Sequence, residues 1–369
     1  MTRIKFGSSA GEYRAREAVR LRGKVFAGKR AAGKGVKVQI WREKRNGKTK
    51  RIATVRTTKK GKFSYRMRPG AEASYQARAA GQRSAWVHLD KTSGDRSLKQ
   101  RRATVRKQLG KPRGKTVRLS SAQVSDLGRS NISRVRYRDF AKGMLVEVRK
   151  SGSTRTWFVR GKIVKAYRKA GGPTGTYGVP FGDAKCGLLE KGCVQRFTGG
   201  SLYEKKSVKK ASGQTGRSKA TMVVAVARSQ LSYRSGRTNS KFNTWAGSWG
   251  QPWCAAFVSW AASASGKKKA VPKFARLYQL APYARNNMKT FTNSSKRKPK
   301  LGDLVFFDFR NGGRGPEPSH VGIVLKNKRN SVIAIEGNAS RTSTFNPRRG
   351  VFIHDRPKSR VVFYASPDW

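Results

Sequence analysis

The chain has 369 residues, too many for one ordinary core, so two or three domains are expected. Its 84 Lys and Arg against 18 Asp and Glu leave a formal charge of +66. That field favours a polyanionic partner such as nucleic acid, an acidic membrane or an anionic cell-wall polymer. No apolar run approaches the ~18 residues of a membrane span, and the N-terminal stretch lacks the apolar segment of a signal peptide, so no export signal is visible.

Residues 1–18 are polar and basic and read as an extended leader. Over 19–90 short β-rich runs alternate with Gly/Lys/Asn turns: Val19–Val25, Val36–Trp41, Arg51–Val55, Lys62–Tyr65, Ala73–Ala77 and Ala85–Leu89. So many short strands in so few residues predict a small all-β sandwich. From the Leu21-Arg-Gly-Lys-Val25 opening through Gly61-Lys-Phe63 the stretch resembles a bacterial Ig-like module, a likeness of fold that names no site. Residues 91–118 are rich in Lys, Arg, Ser and Gly without periodicity and read as a basic linker.

Residues 119–205 show internal similarity. Phe140-Ala-Lys-Gly143 opens one unit, and Phe197-Thr-Gly-Gly-Ser-Leu-Tyr203 repeats its aromatic-to-glycine element. A unit of this size cannot bury its own face and needs a neighbour. With Tyr167, Gly171-Gly172 and Tyr177-Gly-Val-Pro180, the pattern looks like the LGFP repeat of actinobacterial wall-associated proteins. Tyr-Gly-Val-Pro stands here where that family has Leu-Gly-x-Pro. The resemblance implies a small β-rich wall-binding module. Within it Cys186 and Cys193 bracket Gly187–Gly192 and are expected to close as a disulfide in an oxidising compartment. A zinc site would need four ligands, and no His lies near the pair. Residues 206–219 read as a second linker.

The last domain spans 220–369. Helices are predicted at Ala220–Leu231, Pro252–Ser265 and Lys273–Asn287, the last broken at Pro282. Strands are predicted at Asp303–Asp308, His320–Leu325, Val332–Glu336 and Val361–Tyr364, giving an α+β layout. Trp253, Phe257, Trp260 and Ala261 recur at helical spacing, so Cys254 falls in the first turn of a buried helix. The unpaired N–H groups there favour a thiolate. A hairpin turn centred near Lys328 would set His320 opposite Glu336, with Asn338 on the same face. Three polar groups at one end of an apolar hairpin are what a His held by an acceptor needs. The roles follow: Cys254 as nucleophile, His320 as base, Glu336 or Asn338 as the group fixing its tautomer, and Gln251 as an oxyanion candidate. Trp245, Trp249 and Trp253 are candidates for lining a sugar-binding groove, or equally for the core. Ser319, His320 and Asp303 make a poor serine triad because Ser adjoins His, and His354-Asp355 reads as surface.

Gly250–Trp260, Pro299–Phe307, Ser319–Val324 and Ile335–Asn338 look like the successive motifs of a CHAP domain, the papain-like, NlpC/P60-type peptidoglycan hydrolases. The resemblance implies cleavage of the muramoyl–alanine amide or of a stem or cross-bridge peptide bond. It implies Cys254 as nucleophile, His320 as base, Glu336 as third member and Asn338 in support. No cofactor is implied: some phage members carry an Asp-rich calcium loop before the cysteine, but Ser232–Gln251 contains no Asp or Glu. The expected partners are peptidoglycan and anionic wall polymers such as teichoic acids, in an extracellular or wall location. The alternatives are a non-catalytic wall-binding or adhesive protein, and a nucleic-acid binder, for which no helix-turn-helix, RRM or zinc signature is present.

Overall fold

The computed structural model describes residues 2–9, 12–13, 18–28, 30–43, 49–70, 73–91, 97–151, 153–236, 238–310, 315–340 and 349–369. They divide into two compact units, Met1–Asp95 and Arg96–Trp369.

The first unit is two sheets around one core. Strand β1 (Thr2–Ser8) and β5 (Lys62–Met67) flank β2 (Val19–Ala27) in antiparallel pairing. In the second sheet β3 (Lys37–Glu43) lies between β4 (Thr49–Arg56) and β6 (Ala73–Ala79), and β7 (Val87–Lys91) pairs with β6. Leu21, Val25 and Phe63 of one sheet meet Ile40, Tyr75 and Ala77 of the other. Residues 2–8, expected within the leader, instead pair with β2 from Thr2↔Ala27 to Ser8↔Leu21. Ile4 and Phe6 alternate with Arg3 and Lys5, and Phe6 stacks on Phe63 at 6.0 Å. The alternation is genuine, but its charged half hides it from a reading by mean hydropathy.

The second unit begins inside the expected linker. Helix α1 (Leu98–Leu109) starts at Ser97, whose hydroxyl and Gln100 form a reciprocal capping box. Its Val105 and Leu109 pack on Phe140, Leu145 and Phe158. These belong to the antiparallel meander β8 (Ile132–Phe140), β9 (Gly143–Lys150) and β10 (Ser153–Arg160), which is followed by α2 (Gly161–Lys169). A second meander comprises β11 (Lys185–Leu188), β12 (Gly192–Phe197), β13 (Gly200–Glu204) and β14 (Ser212–Thr215). The two aromatic-to-glycine elements noted in the sequence are equivalent hairpin corners, closed by the pairs Phe140↔Gly143 and Phe197↔Gly200. Tyr167 stacks on Phe197 at 4.7 Å. Cys186 and Cys193 form the disulfide, across the bend from β11 to β12.

The expected second linker is also structured. β14 pairs with β13, and Ser212 Oγ donates to the Ala225 carbonyl at 2.7 Å. Val194 and Tyr203 of this meander join the core of the C-terminal region. There α3 (Ala220–Arg228), α4 (Lys241–Ala246), α5 (Cys254–Ala264) and α6 (Leu277–Asn287) precede an antiparallel sheet. Its order is Arg234–Ser235, β19 (Arg349–Pro357), β18 (Ser331–Ala339), β17 (His320–Asn327), β16 (Leu304–Phe307), β20 (Val361–Ser366) and β15 (Lys289–Phe291). Helix α5 packs on β17 and β18 with nearly every residue buried. It begins at Cys254, two residues later than Pro252, because Trp253 takes the capping position. Pro282 sits inside α6, which starts only at Leu277. The chain is thus multidomain, mostly β in its N-terminal part and α+β at its C-terminal end. Among the described residues no helix is long and apolar enough to cross a membrane.

Candidate active site

Cys254 is the first residue of α5, where backbone N–H groups lack helical partners and the dipole is positive. The loop before it is held from within. Asn243 Nδ2 donates to the Ser248 carbonyl at 3.0 Å and to the Gln251 carbonyl at 2.8 Å. Trp253 is fully buried, stacks on Phe242 at 5.2 Å, and donates its indole N–H to Gly236 O at 3.1 Å. Depth is set from the sheet side: a Cβ on Gly337 would lie 2.5 Å from Phe257 Cβ, so only glycine lets α5 approach β18 this closely.

His320 opens β17 and Glu336 lies on β18, but they are not directly opposite. Glu336 pairs with Gly322, because the hairpin turns after Asn327↔Val332 and a bulge shifts the register between Val324 and Lys326. Glu336 therefore reaches diagonally, past a position where even a Cβ would stand 3.0 Å from its Cγ. His320 Nε2 and Glu336 Oε2 are 3.1 Å apart, with both side chains buried. With Nε2 so engaged, Nδ1 is the ring nitrogen left for the hydrogen bond that His320 shares with Cys254.

Glu336 has a second partner that the sequence reading missed. Arg356 on β19 donates Nε to Oε1 at 3.0 Å and Nη2 to Oε2 at 2.8 Å. The Phe309 ring lies 4.9 Å from the Arg356 guanidinium and 5.6 Å from the His320 ring. Burial disfavours an ionised Glu336, but its bonds to His320 and Arg356 prevail and hold its pKa down at about 2. Burial likewise disfavours a charged His320, yet the hydrogen bonds with Cys254 and Glu336 push it up to about 9. A cysteine thiol at a helix start, an imidazole able to hold a proton and a carboxylate behind it form a line suited to acyl transfer.

The remaining expectations divide. Among the described residues, the hydrogen-bond partners of His320 are Cys254 and Glu336. Asn338 is not one of them: at φ 58° it leaves the extended region where β18 becomes irregular, so the alternation that would place it beside Glu336 fails, and its Oδ1 is buried without a partner among the described residues. Gln251 is half-buried. Of the three tryptophans, Trp253 is core, Trp245 packs half-buried against that core, and Trp249 is 67% exposed. Asp303 is occupied by the Lys300 N–H and the Ser366 hydroxyl, which leaves no serine triad. His354 is not a plain surface residue: it is half-buried, burial lowers its pKa, and the charges of Glu336, Arg356 and His320 all act on it.

The CHAP domain family matches residues 246–338, a stretch that includes Cys254, His320 and Glu336 but ends short of Arg356. The chain therefore carries a CHAP domain in its C-terminal part, and CHAP domains in general are peptidoglycan hydrolases. No curated protein matches the chain. Among solved structures, a Pseudomonas fluorescens alkylpurine DNA glycosylase, AlkC, bound to DNA containing an abasic site analog, is 13% identical with a TM-score of 0.18; the match covers 24% of this chain and 30% of that one. A marsupial T cell receptor is 6% identical with a TM-score of 0.20, over 58% of this chain and all of that one. Neither likeness carries an argument about fold or function.

Proposed function

We propose that the C-terminal domain is a cysteine-dependent peptidoglycan hydrolase that cuts an amide bond, either N-acetylmuramoyl-L-alanine or a peptide bond of the stem or cross-bridge. The observation that carries this reading is the line Cys254–His320–Glu336, with the cysteine at a helix start. In this reading the Cys254 thiolate attacks the scissile carbonyl, and the Cys254 backbone N–H donates to the oxyanion. The His320 imidazolium then gives its proton to the departing amine. The neutral ring next takes a proton from water, whose oxygen attacks the thioester and releases the acid and the thiolate. Glu336 stabilises the imidazolium and fixes the ring, and Arg356 in turn fixes Glu336. The exposed Trp249 is the remaining aromatic candidate for contact with the glycan strand. The wall setting is supported by the disulfide, which suits an oxidising compartment, and by the +66 charge, which suits anionic polymers such as teichoic acids. On the same reading residues 119–205 serve as an LGFP-like wall module and 19–90 as an Ig-like module.

Wild type and Cys254→Ala are compared by the turbidity of cell-wall suspensions, with mass spectrometry of the released fragments. Clearing by wild type alone is expected. Equal clearing by both proteins would refute the catalytic assignment. A new N-terminal alanine identifies an amidase, and other new amino termini an endopeptidase.

A further inference from the structure

The outer face of the sheet β1–β2–β5 is built almost wholly of cations. Lys5, Lys24 and Lys62 stand directly opposite one another in a row across the three strands, and Arg20 stands opposite Arg66. Arg22 lies on β2 between these two rows, and Arg3, opposite Phe26, extends the face beyond Lys5. The three strands contain no Asp or Glu, and none of these seven side chains forms an ion pair with a described residue. Like charges directly opposite destabilise a sheet, so this arrangement is costly to the isolated fold. The basic composition of the chain does not dictate it. The companion sheet in the same unit is mixed: Lys37 stands opposite Arg56 and Trp41 opposite Arg51, but Gln39, Trp41 and Glu43 lie beside Arg78 and the buried Gln76 and Ser74. There Trp41 Nε1 donates to Gln39 Oε1 and Arg78 Nε to Gln76 Oε1, each at 3.0 Å.

We propose that the β1–β2–β5 face binds a linear polyol-phosphate polymer, a flexible chain of phosphodiesters; this deepens, and rests on, the cell-wall reading above. Cations on one face of a strand repeat every ~6.8 Å, and neighbouring strands lie ~4.8 Å apart. A flexible polyanion can set successive phosphates onto such a grid. A folded protein partner would require an apolar centre to the interface, and this face offers only the half-buried Phe26. Single-stranded nucleic acid is held on aromatic platforms. The ring of Phe26 is already occupied by Arg3 at 4.8 Å, Lys24 at 4.9 Å and Lys5 at 5.7 Å.

The test uses the full chain carrying Cys254→Ala, titrated with poly(glycerol phosphate) at several salt concentrations. One variant adds Lys5→Gln, Lys24→Gln and Lys62→Gln. A charge-matched control adds Lys37→Gln, Lys50→Gln and Arg51→Gln on the companion sheet. The face variant is expected to bind at least about tenfold more weakly near physiological salt, with the slope of log K against log salt reduced by about 2 for three lost phosphate contacts. The control is expected to stay within about twofold, and both variants to keep the parent melting temperature within a few degrees. Unchanged affinity in the face variant, or equal losses in both, overturns the proposal. So does tighter, lysine-dependent binding of single-stranded DNA of equal charge, which would make the occupant a nucleic acid. Wall clearing by the Cys254 protein is scored separately: clearing without polymer binding refutes this face alone, and binding without clearing refutes the hydrolase alone.

Discussion

Gly337→Ala tests whether the approach of α5 to β18 sets the reactive geometry. The added Cβ would stand 2.5 Å from Phe257 Cβ, 2.6 Å from its Cγ and 2.9 Å from its Cδ1. Non-bonded carbons rest about 3.5–4.0 Å apart, so helix and strand must separate locally by about 1 Å. Phe257 is one helical turn beyond Cys254, whereas Glu336 adjoins Gly337 on the strand, so the separation falls between the nucleophile and the base–acid pair. Overpacking of this kind costs about 1–3 kcal/mol of stability, and about 1 Å of misplacement costs about 100-fold in rate. Initial rates of wall-suspension clearing and chemical denaturation are measured together. Gly143→Ala is the control, because its Cβ would strike Phe158 Cε2 at 2.3 Å in the meander away from the site. It should lose comparable stability while retaining its rate. A Gly337→Ala rate within about threefold of wild type, or an equal loss of rate in Gly143→Ala, would refute the reasoning.

Arg356→Gln leaves the buried Glu336 with His320 as its only cationic partner among the described residues, and denaturant unfolding should show a loss of about 3 kcal/mol, the lower end for breaking a buried pair because Arg356 is 26% exposed. Arg356→Lys should recover only part, since a point charge cannot reproduce the two-pronged contact. His320 has its folded pKa raised from 6.5 to about 9, so its stabilisation is complete below pH 6.5 and is lost as pH rises through about 9. Melting temperature should fall over that window in wild type and stay flatter in His320→Gln. Glu336 runs the other way: its folded pKa is depressed from 4.5 to about 2, so its contribution is present above pH 4.5 and lost on acidification toward 2. Leu109→Ala should cost about 2–4 kcal/mol by denaturation, because Leu109 is buried in α1; a change near zero would restore the linker reading.

The parts of the site that could be read from the sequence are those encoded by local pattern. Pro-Trp-Cys ahead of an apolar run at helical spacing places a cysteine at a helix start, and alternating strands on either side of a short basic turn place His320 and Glu336 on one face. Their register could not be read, because the turn falls midway between Asn327 and Val332 instead of at Lys328, and the bulge after Val324 is a backbone event with no side-chain signature. Arg356 was missed for a related reason. Arg349–Pro357 alternates, but its exposed half is Ile353, Asp355 and Pro357 and its other half includes His354 and Arg356, so the strand looks like charged surface. The same masking hid β1, where Arg3 and Lys5 interleave with Ile4 and Phe6, and α1, whose apolar stripe is set among lysines and arginines. In a chain this basic, mean hydropathy understates order, because long cationic side chains ride on elements whose other face is buried.

The charges at the site explain why Glu336 should carry two cations. In the thiolate–imidazolium form the cluster holds Cys254 and Glu336 as anions and His320 and Arg356 as cations, with no net charge. Moving the proton from His320 to Cys254 leaves the sum at zero, since Arg356 still balances Glu336. Without Arg356 both forms would confine an uncompensated negative charge around a fully buried carboxylate, at a cost of several kcal/mol. Arg356 also repels the imidazolium, so it does not serve to raise the basicity of His320. Its contribution is orientation: the two-pronged contact fixes the plane of the carboxylate, the carboxylate fixes His320 Nε2, and Nδ1 is the ring nitrogen that remains for Cys254. The placement of His320, the partner of Cys254, is therefore set three residues deep into the sheet, on a strand beyond the stretch that matches the CHAP family.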